Sequence, residues 1–475
     1  MNGLPSMSEN FGEWYQQVIL RAGLADYGPV KGTMIFKGYG YTLWKNVQKY
    51  LGEMIEKDGV EDVYFPMFIP QSYLSKEKEH VEGFAPEVAV VTHAGGEKLE
   101  EPLVIRPTSE TIMYKTFANW IQSYRDLPLK INQWANVVRW EKRTTLFMRT
   151  SEFLWQEGHT AHATKESADA DVFEALHRYD DFLRTYMAIP SIKGYKTSGE
   201  KFAGADYTTT LEVLLRSNKA LQIGTSHQLG QNFAKAFDVK FVDENNQQQY
   251  AWQTSWGFST RSLGGMIGVH GDDKGLQLPP RMAAVQIVII PIFKTPEGAA
   301  KIKDMADKLI EKGKSVGIRM QADWSENTAG WKFNEWELRG VPLRIEIGER
   351  ELAEEKLKVV RRVDGSSVVL QYANDIHKQL QELLDESQAM LFRRAEEFLN
   401  EHTRQVNSEA ELVQALDEGM GFVVFFFNDD KKQADILQEK YKITPRVIPL
   451  ATENEIGKDI FTGKEGKLTY FAKAY

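Results

Sequence analysis

Apolar residues recur at helical spacing in two stretches of the first half of the chain. Residues 40–59 place Leu43, Val47, Leu51 and Met54 on one stripe, and Asp58-Gly59 supplies a stop signal. Residues 165–188 do the same with Val172, Leu176, Tyr179, Leu183 and Met187. The shorter apolar runs between and beyond them read as strands. Residues 63–70 are punctuated by prolines, which puts this run at an edge or interface. Another strand ends at 103–107. A helix is expected from Thr108-Ser109-Glu110, where a capping residue precedes an early acid. Residues 131–141 and 154–164 read as strands around a polar loop, 141–149. Residues 207–215 fit either strand or helix, and 254–262 fit a strand followed by a Gly-rich segment, 263–271. Strands meeting helices this irregularly imply an antiparallel α+β unit and not a repeated βαβ pattern.

After Arg281 the pattern changes. A strand over 285–292 precedes a long amphipathic helix over 297–314. Val341, Leu343, Ile345 and Ile347 then alternate with polar residues, so Arg344 and Glu346 share the opposite face. This describes a small α/β domain with a mostly buried sheet. A charged helix over 374–401 leads to a third unit that ends in a short strand, 468–471. The expected division is 1–284, 285–395 and 396–475. The longest apolar runs, 283–293 and 421–427, are too short to span a bilayer as helices. Residues 1–12 lack the basic segment and apolar core of a secretory leader. The chain is therefore expected to be soluble and cytoplasmic, with no membrane partner.

Composition narrows the chemistry. At 475 residues the chain has room for roughly two to four domains. Its net charge of -9 gives no general support to nucleic-acid binding, so any basic face must be local. It contains no cysteine, which excludes disulfides, thiolate zinc sites and cysteine nucleophiles. No internal repeat or low-complexity tract is present. Gly38-Tyr39-Gly40 lacks the third glycine of a dinucleotide fingerprint, and no Walker lysine motif or strand–Ser–helix elbow occurs. If the protein uses ATP, side chains must hold the phosphates.

Arg139, Glu141, Arg149 and Phe153 suit that task. An arginine fork pairs with phosphate oxygens and its plane stacks on a base. Arg281 is a third candidate cation. Taken singly, each has a plain alternative as a solvated charge or a core aromatic. Thr108-Ser109-Glu110 is either a helix cap or a hydroxyl and carboxylate for a cationic amine. Glu157, His159 and His162 invite a metal, but strand alternation turns His162 away from the other two, which favours a polar network. Thr225-Ser226-His227 reads as a turn or a site loop.

Taken in order, these segments resemble a class II aminoacyl-tRNA synthetase, and specifically the prolyl-tRNA synthetases of the archaeal/eukaryotic-like type. The resemblance spans nearly the whole chain. It is carried by Arg106-Pro-Thr-Ser-Glu110, Arg139-Trp-Glu141, the run from Arg149 to His159, the run from Lys201 to Thr210, the run from Thr225 to Phe233 and the run from Val269 to Arg281. It implies an antiparallel catalytic sheet flanked by helices, an α/β anticodon-binding domain and a C-terminal α/β appendage. It also implies a homodimer formed through the first motif, the helix before Val63 with the strand ending at Pro66. By the same resemblance, L-proline is joined to tRNA(Pro) through a prolyl-adenylate, with ATP and Mg²⁺.

The resemblance implies residue roles as well. Thr108, Glu110 and Arg139 would hold proline, and Trp155, Glu157, His159 and Phe202 would wall its ring, with His227 and Ser255 close by. Arg139, Glu141, Arg149, Thr150, Phe153, Gln222, Thr225 and Arg281 would meet ATP, with Gln222 also contacting Mg²⁺. Arg139, Arg149 and Arg281 would stabilise the charge that develops. In the second domain, Lys332 in a 330–336 loop, together with Arg344 and Glu346, would meet the anticodon by stacking and hydrogen bonding. Many relatives carry a cysteine zinc site in the appendage, and without cysteines zinc is not expected here. The interval from 162 to 264 leaves no room for an inserted editing domain. The alternatives are a synthetase-like paralogue that binds tRNA or ATP without catalysis, and a ligase that loads an amino acid onto another carrier.

Overall fold

A computed structural model describes residues 3–74 and 88–475. Its centre is an antiparallel run of strands: Ile192–Tyr195, Tyr207–Leu214, Ala220–Gly230, Trp252–Ser259, Glu152–His162 and Leu129–Val138, in that spatial order. Glu61–Asp62 adds a short parallel edge beside Leu129–Val138. The ambiguous stretch near 207 is thus a central strand. Its β-branched residues, Thr208, Thr209, Thr210 and Val213, are all buried in the sheet, which suits their stiff side chains.

Helices Gly38–Lys57, Lys165–Thr185 and Arg261–His270 cover one face. The two amphipathic stripes read from spacing are the buried ones: Leu43, Val47 and Leu51 in the first helix, and Val172, Leu176, Tyr179 and Leu183 in the second. The Gly-rich segment after residue 262 is a helix. Its glycines let it sit close to the core, where side chains of Met148, Ile223 and Leu215 crowd Gly264, Gly265 and Gly268. The run 63–70 is strand only over Phe68–Pro70, beyond the interruption at Pro66.

The second unit is a sheet ordered Met320–Ala322, Ile287–Ile292, Leu343–Gly348, Lys356–Arg361 and Ser367–Gln371. The first three strands are parallel and the last two antiparallel. Helix Pro296–Ser315 and the long helix Ile376–Glu401 pack on it. That last helix is continuous, so the expected boundary at 395 falls inside it. The 330–336 stretch, expected as a loop, belongs to helix Ala329–Leu338.

The third unit adds its strands to the catalytic sheet. Thr403–Gln405, Phe422–Phe427, Glu465–Ala472 and Thr444–Pro449 are ordered so that Thr444–Pro449 pairs antiparallel with Ile192–Tyr195. The seam is tight at Gly194, where an added methyl would run into the backbone carbonyl of Ile448. We expect Gly194→Ala to destabilise the protein by roughly 1–3 kcal/mol, since backbone cannot yield as a side-chain tip does. Urea unfolding, followed together with amide exchange of residues 444–449, would check this. Unchanged stability and unchanged exchange would show that the seam is loose.

Candidate functional site

One end of the central strands forms a cavity of about 250 Å³. Thr108, Glu110, Arg139, Phe153, Trp155, Glu157, His159, Phe202, Gln222, Thr225, His227 and Ser255 all line it. Sequence reasoning named all of these, and the fold brings them together from positions more than a hundred residues apart.

The floor is built around a buried carboxylate. Glu157, on strand Glu152–His162, is 1% exposed. Ser109 donates to it twice, from N–H at 3.1 Å and from Oγ at 2.5 Å. Gln133 Nε2 donates at 2.9 Å and His159 Nε2 lies at 3.0 Å. Ser109 occupies the cap position of helix Glu110–Trp120 but makes no side-chain cap bond, because its hydroxyl is turned to Glu157. Burial opposes the charge on Glu157. The bond and charge of His159, with the Ser109 and Gln133 bonds, outweigh that and hold its carboxyl below the usual 4.5.

His159 carries the matching charge. Tyr114 Oη donates to the Thr254 carbonyl at 3.3 Å, which leaves its oxygen to accept from His159 Nδ1 at 3.2 Å. Both ring nitrogens of His159 therefore donate, which is the imidazolium state. Burial works against that charge, but the Glu157 bond and the charges of Glu110 and Glu157 raise the His159 pKa above 6.5. His162 bonds Thr160 and Ser167 instead, apart from this pair. Among the described residues no group of His, Cys, Asp or Glu is arranged to hold a metal ion.

Above the floor, Thr108 Oγ1 donates to Glu110 Oε2. Both residues are nearly fully buried, so this carboxylate faces the cavity with little water to solvate it. Arg139 is anchored by its Nε to the Pro107 carbonyl at 2.9 Å. Its guanidinium lies 5.5 Å from the Phe153 ring and 5.3 Å from the Trp155 ring. Burial lowers the Arg139 pKa, and Glu110, Glu157 and Glu141 oppose that. Trp155 Nε1 and Ser255 Oγ are buried without a hydrogen-bond partner among the described residues. In a cavity wall, such atoms suit a bound polar ligand.

Opposite, the part of the wall around His227 is neutral. The Phe202 N–H donates to Thr208 Oγ1 at 2.9 Å, so the Thr208 hydroxyl proton is free to go to His227 Nδ1, 3.0 Å away. His227 Nε2 then donates to Thr225 Oγ1 at 3.1 Å. The His227 ring lies 4.6 Å from that of Phe202. Burial, with the charges of His159 and Arg139, pushes the His227 pKa down to about 3, so this ring stays uncharged beside the charged His159.

The second cation of the cavity is not the expected one. Arg281 points away from it: its Nη1 donates to the Thr185 carbonyl at 3.3 Å, and Asp385 lies 4.0 Å off, at the contact with the second unit. Arg261 takes that place. It stands where strand Trp252–Ser259 turns into helix Arg261–His270, with Nε on the Met148 carbonyl at 3.0 Å. Burial, then Arg149 and Arg139, bring its pKa down to about 10. A charged residue at the junction of a buried strand and a buried helix needs polar partners or a cavity, which was the available signal. Glu141 and Arg149 lie beside each other at 3.9 Å, outside the wall itself but within electrostatic reach of Arg261. Thr150 is turned inward, with Oγ1 on the Glu152 carbonyl at 2.6 Å, and does not line the cavity.

In the second unit Lys332 is buried, with Nζ on the Asp323 carbonyl at 2.8 Å, so it is not placed to meet a base. Arg344 and Glu346 pair at 2.9 Å, Lys358 reaches Glu346 at 2.8 Å, and the Arg344 guanidinium stacks 4.2 Å from Phe333.

The Glu157–His159 pair has a defined pH window. The raised pKa of His159 gives stability that is complete below 6.5 and lost as pH rises through its folded value. The lowered pKa of Glu157 gives stability that is complete above 4.5 and lost as pH falls through its folded value. We expect the His159 imidazole to titrate above 6.5 by NMR, and Glu157→Gln to bring it below that value. A His159 ring that is neutral at pH 6 in the unmutated protein would contradict the two-donor assignment.

Three family models match the chain: the tRNA synthetase class II core domain (G, H, P, S and T) over residues 92–270, an anticodon binding domain over 286–383 and a prolyl-tRNA synthetase C-terminal domain over 410–475. A proline–tRNA ligase of Symbiobacterium thermophilum is 49% identical over 476 residues, covering 98% of this chain and 97% of its own length. One from Phocaeicola vulgatus is 46% identical, covering 99% of both chains. Proline–tRNA ligase 2 of Bacillus cereus is 45% identical, covering 100% of this chain and 99% of its own. With this identity along its whole length and a matched segment in each of its units, the chain belongs to the prolyl-tRNA synthetase family of class II aminoacyl-tRNA synthetases.

Proposed function

We propose that this chain joins L-proline to tRNA(Pro), consuming ATP, through a prolyl-adenylate. The observation that carries the reading is the pairing, in one cavity, of a buried carboxylate with its threonine, Glu110 and Thr108, and two cations, Arg139 and Arg261. Glu110 and Thr108 suit the imino group of proline. Trp155, Phe202 and the neutral His227 offer flat walls for its small ring. The carboxylate of Glu157 has its oxygens occupied by Ser109, Gln133 and His159, so it holds the wall in place and does not grip the ligand.

Arg139 stands between the amine site and Phe153, where the proline carboxylate and the α-phosphate would meet. In-line attack of that carboxylate forms the adenylate and releases pyrophosphate. A ribose hydroxyl at the tRNA 3′ end then attacks the prolyl carbonyl, loses its proton and takes the prolyl group as an ester, releasing AMP. No protein nucleophile is needed, and catalysis is positioning plus charge stabilisation by Arg139 and Arg261, with Arg149 at the rim. Phe153 and Thr225 would flank the nucleotide, with Glu141 accepting from the adenine amino group. The side chain of Gln222 would contact Mg²⁺, a cation usually held mainly by substrate phosphates, where it offsets their charge.

The second unit, matched to an anticodon binding domain, supports tRNA and not another carrier as the acceptor, with the Arg344–Glu346 face and Phe333 as its base-contacting candidates. Among the described residues no helix is long and apolar enough to cross a membrane, and we place the enzyme in the cytoplasm. We also infer a homodimer. Tyr64, Phe68 and Trp120 are exposed at 69%, 49% and 49% around the first motif, where an apolar surface suits a partner copy.

Proline-dependent exchange of pyrophosphate into ATP tests the reading, and absence of exchange with proline would overturn it. Arg139→Ala and Arg261→Ala should each lower exchange by about 10²-fold or more, as loss of a preorganised charge contact does. Arg281→Ala should stay within about threefold, the range of a surface change. A severe loss in Arg281→Ala with near-normal Arg261→Ala would restore Arg281 to the nucleotide site. Light scattering should give a dimer that Trp120→Glu weakens, and a monomeric parent chain would remove the dimer from the reading.

A further inference from the structure

Glu212 has no exposed surface, yet it carries a charge between two units of the chain. Lys196 Nζ donates to its Oε1 at 2.8 Å. Arg446 Nε and Nη2 both donate to its Oε2, at 3.0 and 2.9 Å. Arg446 belongs to the third unit, on strand Thr444–Pro449, while Glu212 lies on the catalytic strand Tyr207–Leu214. Both residues sit at breaks in strand register, between Leu211 and Glu212 and between Pro445 and Val447. Arg446 is the extra residue of its bulge, which re-aims it across the seam, while the extra residue at the break beside Glu212 is Ile223 of the neighbouring strand.

Lys196 lines the same cavity as Arg139 and Arg261. An ammonium has three donors, and Glu212 takes one of them. The position is on the nucleotide side: Glu212 pairs across strands with Gln222, and its charge reaches Arg261. Two buried cations share one buried carboxylate, which leaves a positive charge at the wall. Glu200 is also within reach of Lys196, but it is exposed at the mouth and solvated. A buried surplus of positive charge suits a bound polyanion.

We propose that Lys196 is a further cationic contact for the ATP triphosphate, and that Arg446 of the third unit is the positioning residue that keeps it facing the cavity. By saturating Oε2, Arg446 limits the pull of Glu212 on Lys196 to one oxygen. Without it, the whole carboxylate charge falls on Lys196 and draws it back from the cavity. The proposal rests on the nucleotide site described above, and it gives the third unit a part in adenylate formation.

The test uses the full chain, with ATP affinity measured by calorimetry without proline and KM measured for ATP and proline in the exchange assay. Lys196→Met and Arg446→Met should each weaken ATP binding about tenfold, the loss of one charge-assisted contact, and leave the KM for proline within about twofold. Lys196→Arg and Arg446→Lys should recover most of the affinity. In the double variant the loss should equal that of Lys196→Met alone, since both act through one contact. Lower melting temperature with unchanged ATP affinity in Arg446→Met would reduce the triad to a structural tie and overturn the proposal. A shift in the KM for proline instead, or losses that multiply in the double variant, would also overturn it. If Arg446→Met does not fold, Lys196→Met and Arg446→Lys decide, and parent-like ATP affinity in Lys196→Met rejects the proposal. Calorimetry reads ATP binding even if no proline-dependent exchange occurs, so failure of the proline reading and failure of this one are separable.

Discussion

The site depends on one buried negative charge being fully paired. An ionised carboxylate removed from water costs several kcal/mol unless hydrogen bonds and a counter-charge replace its hydration. Glu157 obtains its donors from a helix start (Ser109), a neighbouring strand (Gln133) and its own strand two residues on (His159). Satisfying it therefore fixes the positions of three elements at once. Helix Glu110–Trp120 gives up its side-chain cap to do so, which costs about 1 kcal/mol in helix terms. In return Glu110, the next residue, is held at the cavity beside Arg139. The pocket for a cationic amine is thus a consequence of how its floor is neutralised.

The same logic separates the two histidines of the cavity. His159 and His227 both line one small space, yet the first is surrounded by carboxylates and the second by hydroxyls and an aromatic ring. Two positive imidazoles there would repel each other and Arg139. The charged histidine is pulled to the floor by Glu157, and the neutral one is left to the wall, where its face packs like an aromatic. A wall of neutral, flat groups over a charged floor is a chemical fit to a small ring bearing one cationic nitrogen.

Much of this was legible in the sequence, for reasons that differ by residue. The stripes through Val47 and Tyr179 follow from helical periodicity, which tertiary packing reinforces. The split of His162 from Glu157 and His159 follows from strand alternation. The role of Ser109 was hidden because a capping residue before an acid has an adequate local explanation, and its actual partner lies 48 residues away. Arg281 ends a segment that carries the family resemblance, whereas Arg261 stands before a Gly-rich stretch whose element type the sequence leaves open. Burial turned that stretch into a helix, and with it the strand-to-helix junction became a wall of the cavity. Lys332 failed for the mirror reason: a loop in the sequence became a helix that buries its lysine against Asp323. Tertiary packing decides both elements: the helix after Arg261 rests its glycines on the core, and helix Ala329–Leu338 buries Lys332 and Trp336.

Joining the third unit to the catalytic sheet by strand pairing also has a physical consequence. A sheet edge left open at Ile192–Tyr195 would expose unpaired backbone next to the cavity wall. Thr444–Pro449 closes that edge, and Gly194 allows the approach. Lys196 directly follows Tyr195, the last residue of the closed edge, and reaches the cavity, while Glu212 lies one strand further in. Covering the edge and setting the charge at the wall are therefore done by the same short segment. A loosely tethered appendage could do neither, because a buried carboxylate shared between units needs both units held in register. This coupling explains why Arg446 is buried at a seam where an apolar residue would pack with less electrostatic cost.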